Sequence, residues 1–446
     1  MTSYARRLGL FSGTMAVVGG IIGGGIFRTP ATVAERLHSP GLVLLAWVVG
    51  GGVALIGAFC FGELGQRRPR AGGGYVYLRE TWGPLPAFLY GWTLVLVIAT
   101  GAIAAVAVTF ANYALALAGL GERFTVPLAI GTIVLLAGIN YVGVRPAAIT
   151  QNIFTVLKLA ALAALIVVGL FLGLPSDRPT IRPSDGQGGA LGAALVPILF
   201  TYGGWQQTNF IAEEIVAPER NLPRALVLGV AIVVAVYLLT NIAYLRVLGV
   251  EGLAASSAPA ADTMQALLGP VGGKIIAAGI AVSTFGFLNL VILVTPRVLQ
   301  AMAADGVFFQ RLAILHPVYH TPAAAIVALA LCAVVLTLSG TFGQLVDYVT
   351  FGDWIFFGLI VAGLFIYRNR ERGAGSREQS ALGSVLPAPF RVPGYPVTPA
   401  LFVLAAAYVV YSAVASNPRN AAIGAGLIAL GAPVFLYWRS RGSAIK

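Results

Sequence analysis

Stretches of about twenty apolar residues, long enough to cross the ~30 Å hydrocarbon core of a bilayer as a helix, recur along the whole chain. Twelve are read: 10–36, 40–66, 84–120, 124–144, 149–172, 190–215, 223–247, 272–303, 322–339, 342–368, 397–415 and 419–439. In lipid, every backbone amide needs a partner inside the protein, so these spans are expected as helices. The period-two alternation of barrel strands is absent. Only 10% of residues are charged, against about 25% in soluble domains. The expected class is an all-α polytopic membrane protein with the bilayer as its solvent.

A net charge of +12 invites a nucleic-acid reading until the positions are considered. With the amino terminus inside, Arg6, Arg7, the cluster Arg67, Arg68, Arg70 and Arg79, and the cluster Arg368, Arg370, Arg372 and Arg377 fall on one side. The opposite loops carry scattered cations such as Arg123 and Lys274. That bias puts both termini in the cytoplasm, so the basic excess is an orientation signal for the cell membrane and no nucleic-acid partner is expected. Cys60 and Cys332 lie in apolar spans without metal or redox spacing. His38, His316 and His320 sit near span ends without clustering, and no nucleophile is paired with a base. No metal, cofactor or enzymatic activity is expected.

The longest polar stretch, 368–396, is rich in Gly, Ser and Pro and reads as a linker. It separates ten spans from a final pair. The expected organisation is helices 1–5 over 1–175, helices 6–10 over 176–370, a cytoplasmic linker over 371–396, and two accessory helices with a tail over 397–446. Five is an odd number, so the second set of five enters the membrane from the opposite face, as an inverted repeat. Spans one and six, at corresponding positions of the two halves, are both interrupted: GGIIGGGIFRTP (19–30) and VPILFTYGGWQQTNFIAEE (196–214). Paired interruptions of this kind point to a transporter binding site.

Glycine costs a helix about 1 kcal/mol relative to alanine, so a break is expected at Gly23, Gly24 and Gly25. One half-helix then ends with free carbonyls around Gly20, Ile21 and Ile22, and the next begins with free amides around Gly24, Gly25 and Ile26. Carbonyl ends attract cations and amide ends attract anions. A zwitterionic α-amino acid matches that break without any charged side chain. The competing reading is close helix packing through Gly19-xxx-Gly23 and Gly20-xxx-Gly24.

Lys158 falls nine residues into the span that starts at 149, roughly 13 Å deep at 1.5 Å per residue. An intramembrane lysine faces the bundle interior and a partner, or snorkels to the interface. The expected partners are first-span carbonyls near Gly19 and Gly20, with the hydroxyls of Ser283 or Thr284 as further ligands. Such a fixed ammonium does the work of a sodium ion. Asp353, in FGDWIFFGL, is open to reading as a proton relay, a counter-ion or a group facing a wet vestibule. Glu213 and Glu214 end the sixth span near Arg220 and Arg224, as a gate cluster or an ordinary solvated helix end.

Four stretches carry a family resemblance: GGGIFRTP (23–30), QNIFTVLKL (151–159), FTYGGWQQTNFIAEEIVAPERNLPRAL (200–226) and STFGFLNLVILVTPRVLQAMAADGVFFQRLAILHPVYHTP (283–322). The chain resembles the amino acid–polyamine–organocation superfamily, and within it bacterial relatives of the L-type amino acid transporters. The resemblance implies the five-plus-five inverted-repeat (LeuT-like) fold and alternating access. It implies that backbone groups of Gly23, Gly24 and Gly25 hold a substrate carboxylate, while carbonyls of Ile21, Phe200 and Gly203 hold the ammonium. Phe200 is then an aromatic lid, and Lys158 replaces sodium. Ile22, Thr201, Trp205 and Gln207 complete the expected pocket. Gly24 stands where many relatives have serine, and Gln206 and Gln207 occupy side-chain-pocket positions. The loop around Gly121 to Thr125 lacks the cysteine that animal relatives bond to a heavy subunit, so no disulfide-linked partner is expected. The expected activity is sodium-independent transport of amino acids, by exchange or proton coupling. Neutral substrates are favoured because no acidic side chain is evident in the predicted pocket. A polyamine permease and a channel are the alternatives.

Overall fold

A computed structural model describes residues 3–173, 187–340, 342–374 and 390–443, with side chains except at 187–190, 342–351, 372–374 and 441–443. Among the described residues every regular element is helical, and the nearest approach to a strand is one parallel bridge between Leu8 and Ile215. Helix α1 (Leu10–Ile21) stops inside the glycine run, and a 3-10 turn (Gly25–Phe27) leads into α2 (Thr29–Leu37). Ile22 already has ψ 89° and so has left the helix. Proline at the first turn, where its missing amide costs nothing, starts α3 (Pro40–Arg67). The short α4 (Gly74–Trp82) precedes α5 (Pro84–Thr93), which continues through a π-helical segment (Leu94–Ala99) into α6 (Thr100–Ala118). Helices α7 (Thr125–Tyr141) and α8 (Val144–Phe171) follow.

Beyond 187, α9 (Gln187–Thr201) stops at the second glycine pair and gives way to a 3-10 segment (Trp205–Glu214). Then come α10 (Pro218–Ala254), α11 (Pro259–Leu268), α12 (Pro270–Ala304), α13 (Ala323–Ser339) and α14 (Phe342–Ala374). Helices α15 (Val397–Ser416), α16 (Pro418–Ala429) and α17 (Gly431–Ser443) close the chain.

Among the described residues, eight helices are long and apolar enough to cross a membrane. This count differs from the twelve expected spans at four places, and the reasons are local. The spans at 10–36 and 190–215 are split by their glycine breaks, 322–339 yields a helix of 17 residues, and 342–368 falls partly where side chains lie outside the described residues. The expected boundary at 175/176, most of the linker (375–389) and the end of the tail (444–446) also lie outside them. Around the bundle, Leu135, Leu331, Val335 and Leu404 are exposed, an apolar exterior suited to lipid.

Helix α1 is central, packed against α8, α10, α12 and the 3-10 segment after α9. Its contact with α10 is close: a Cβ on Gly13 would stand 3.1 Å from that of Ala225. At the arginine-rich end, buried Glu63 is held by Arg67 and Arg368, each at 2.6 Å, and by the backbone amide of Val392 at 2.7 Å. Glu214 does not pair with Arg220 or Arg224, as its position in the sequence suggests. The 3-10 winding turns it inward, where it accepts from Arg297 of α12 at 2.9 and 3.2 Å, both residues being buried. The backbone carbonyl of Glu214 also accepts from the amides of Arg7 and Leu8, at 2.9 Å each, which seats the segment before α1 against the bundle.

Candidate functional site

The two breaks meet. Gly204 has φ +107°, a conformation that side-chain-bearing residues rarely adopt, and a Cβ there would collide with the carbonyl oxygen of Gly20. Glycine is therefore required where α1 and the α9 break touch backbone to backbone. The Gly204 amide donates to Oε1 of Gln206 at 3.0 Å, so the turn is closed from within.

A cavity of about 570 Å³ opens beside this junction. Ile21, Gly23, Gly24 and Gly25 line it from the first break, and Phe200, Thr201, Gly203 and Gln207 from the second. Gly20 and Thr284 border it as well. Trp205, expected in the pocket, is not among the lining residues; its ring packs edge-on against Phe61 with centroids 4.9 Å apart. Ile22 is buried and contributes its carbonyl elsewhere.

The carbonyl end of α1 is largely occupied by the protein itself. Lys158 is buried on α8 and donates through Nζ to the carbonyls of Gly19 at 3.2 Å and Ile22 at 2.8 Å. Ser283 of α12 donates to Ile22 at 3.2 Å and lies 3.5 Å from the Gly23 carbonyl oxygen. Thr284 instead turns its hydroxyl to its own helix, 2.8 and 2.9 Å from the carbonyls of Ile280 and Ala281. Gly20, named with Gly19 as a partner of the lysine, faces Gly204. An ammonium at a helix C-terminus offsets the roughly half negative charge gathered there. Its cost of burial is met by two carbonyl acceptors and no carboxylate.

The amide end is different. No acceptor among the described residues takes the amides of Gly24, Gly25 and Ile26. Gly24 is exposed and Gly25 partly so, both against the cavity. A second helix end is also within reach, since the Tyr237 hydroxyl of α10 lies 3.1 Å from the Ile21 carbonyl oxygen and 3.4 Å from that of Thr201. One phenol thus bridges the last carbonyls of α1 and α9. Tyr237 escapes a sequence reading, where its only mark is a hydroxyl deep in an apolar span. The π-helical segment also escapes it, yet Leu94, Ile98 and Ala99 form one wall of the cavity. Asp353 of α14 lines the same space.

Chemically, the arrangement offers free amides for an anion, carbonyl-rich backbone for a cation and a largely apolar volume for a side chain. The amino acid permease family profile matches residues 8–438. The b(0,+)-type amino acid transporter 1 of Homo sapiens is 32% identical over 425 residues, covering 94% of this chain and 84% of that protein. The large neutral amino acids transporter small subunit 2 of Mus musculus is 32% identical over 452 residues, 98% of this chain and 82% of its own length. The Asc-type amino acid transporter 1 of Mus musculus is 31% identical over 457 residues, with 99% and 83% covered.

Proposed function

The chain belongs to the amino acid permease family, within the amino acid–polyamine–organocation superfamily, and on that premise we propose that it is a sodium-independent amino acid transporter of the cell membrane. It is a multi-pass, all-helical membrane protein. The proposed organisation is twelve spans, ten of them forming two inverted repeats of five, with both termini in the cytoplasm and α15 to α17 as accessory helices. Transport proceeds by alternating access around the paired breaks, as exchange or proton-coupled uptake, without a disulfide-linked subunit.

The observation that carries this reading is the meeting of two interrupted helices at one cavity, with amides that have no acceptor on one side of the break. In it, the amides of Gly24 and Gly25 take the substrate carboxylate, and carbonyls near Phe200 and Gly203 take its ammonium. Phe200 covers the site. Lys158 holds the end of α1 where a sodium ion would otherwise be needed, and its charge makes an added metal cation redundant. A neutral substrate is the expectation for a pocket without an acidic side chain; because Asp353 lines the cavity, that ground for neutrality is gone.

The test is exchange in liposomes. Purified protein, loaded with one amino acid inside, takes up another from outside equally well in sodium and in choline buffer. A strict sodium requirement, or uptake that fails to saturate as a channel's would, overturns the proposal. A pH gradient imposed in the same vesicles separates exchange from proton coupling.

A further inference from the structure

Asp353 is the one charged residue among the described residues that line the central cavity; no lysine, arginine or histidine faces it there. It lies about 16 Å along α14 from Phe342 at 1.5 Å per residue, near the middle of a ~30 Å core. Its Oδ1 is buried and accepts no hydrogen bond. Oε1 of Gln207, on the other wall of the same cavity, is likewise buried without a donor. Two buried acceptors without donors, lining one cavity at membrane depth, are costly unless something brings them protons or charge.

The rest of the lining narrows what that is. Phe287, Trp354 and Phe357 contribute aromatic rings, which attract organic cations. The volume suits a small organic ligand, larger than a bare metal ion needs. On another segment that lines the same cavity, the amides of Gly24 and Gly25 await an anion. A ligand satisfying both sets of groups carries a carboxylate at its head and a second cation on its side chain. A diamine lacks the carboxylate, and a neutral amino acid lacks the second cation.

Resting on the permease reading above, we infer that Asp353 is a specificity-determining residue that pairs with the cationic side chain of a dibasic amino acid, with Gln207 as a further acceptor. Such a pairing discriminates by charge at constant shape, so its signature is preference for a guanidinium or ammonium over an uncharged isostere.

The probes are radiolabelled L-arginine and its uncharged near-isostere L-citrulline, with L-leucine and putrescine alongside, taken up by the full-length protein in liposomes. The unmutated protein takes up arginine about tenfold better than citrulline, the discrimination of a single charge pair. Asp353→Asn brings that ratio close to one, whatever total uptake it keeps, and Asp353→Glu restores the preference. Equal uptake of arginine and citrulline by the unmutated protein overturns the inference even if no variant can be purified. So does a preference that survives Asp353→Asn, or a variant that changes only the response to a pH gradient and thereby marks a proton relay. Uptake of leucine with exclusion of arginine, or of putrescine alone, overturns it while leaving a working permease. Absence of exchange with every amino acid overturns both readings.

Discussion

Nζ of Lys158 stands 2.8 Å from the carbonyl oxygen of Ile22, the residue at which α1 leaves the helix. The contact ties α8 to the break itself, 136 positions away in sequence. A side chain from a neighbouring helix thus does what a further turn of α1 would have done: it gives the terminal carbonyls a donor. The break is stable because its carbonyl end is capped from α8 and α12, which leaves its amide end available to a ligand.

Replacing that cap by an apolar chain of similar size isolates its contribution. In Lys158→Met the Gly19 carbonyl loses its donor and Ile22 keeps only Ser283. A buried acceptor left unpaired costs about 1–3 kcal/mol, enough to displace the break. Amino acid exchange in liposomes is expected to fall about tenfold or more, while the variant still elutes as a folded monodisperse protein. Unchanged exchange would make the lysine a packing residue only.

Gly25 is a second lever. A Cβ at this position would stand 2.9 Å from the Thr201 methyl and hydroxyl, and Thr201 is itself held by Thr29 and the Pro197 carbonyl, each at 2.8 Å. Gly25→Val therefore fills the space beside the free amides and pushes the two breaks apart. Substrate should no longer raise the melting temperature of the detergent-solubilised protein, although the folded protein is recovered. Uptake equal to the unmutated level would remove the first break from the binding site.

The buried pair Arg297 and Glu214 invites a double-mutant cycle. Arg297→Met leaves Glu214 buried and uncompensated, and removing one member of a buried ion pair costs about 3–5 kcal/mol. Adding Glu214→Leu should recover most of that loss, because two apolar side chains no longer pay for desolvation. Thermal unfolding of the four proteins checks it. A single variant as stable as the parent would mean that water reaches Glu214 in solution.

How much of this was legible beforehand follows from what a sequence records. Apolar runs of membrane length report the solvent directly, so the helical class was open to reading from composition and pattern alone. The breaks at Gly23 to Gly25 and at Gly203 and Gly204 were equally legible, because the backbone cost of glycine is local. The depth of Lys158 followed from counting along one helix. Its partners did not: Gly19 and Ile22 accept from it while Gly20 is taken up against Gly204, a choice made by the rotation of α1 against α8 and α10.

The same division holds for the charges. The residues around Glu214 in the chain offered Arg220 and Arg224, and the tight winding of the preceding segment delivered Arg297 instead. Nothing local to Asp353 reveals that it shares a cavity with Gly24 and Gln207, in the segments at the two helix breaks. Backbone preference and burial in lipid are properties of a stretch of chain and are written there. Which donor meets which acceptor depends on how rigid helices pack, and only their arrangement in space decided it.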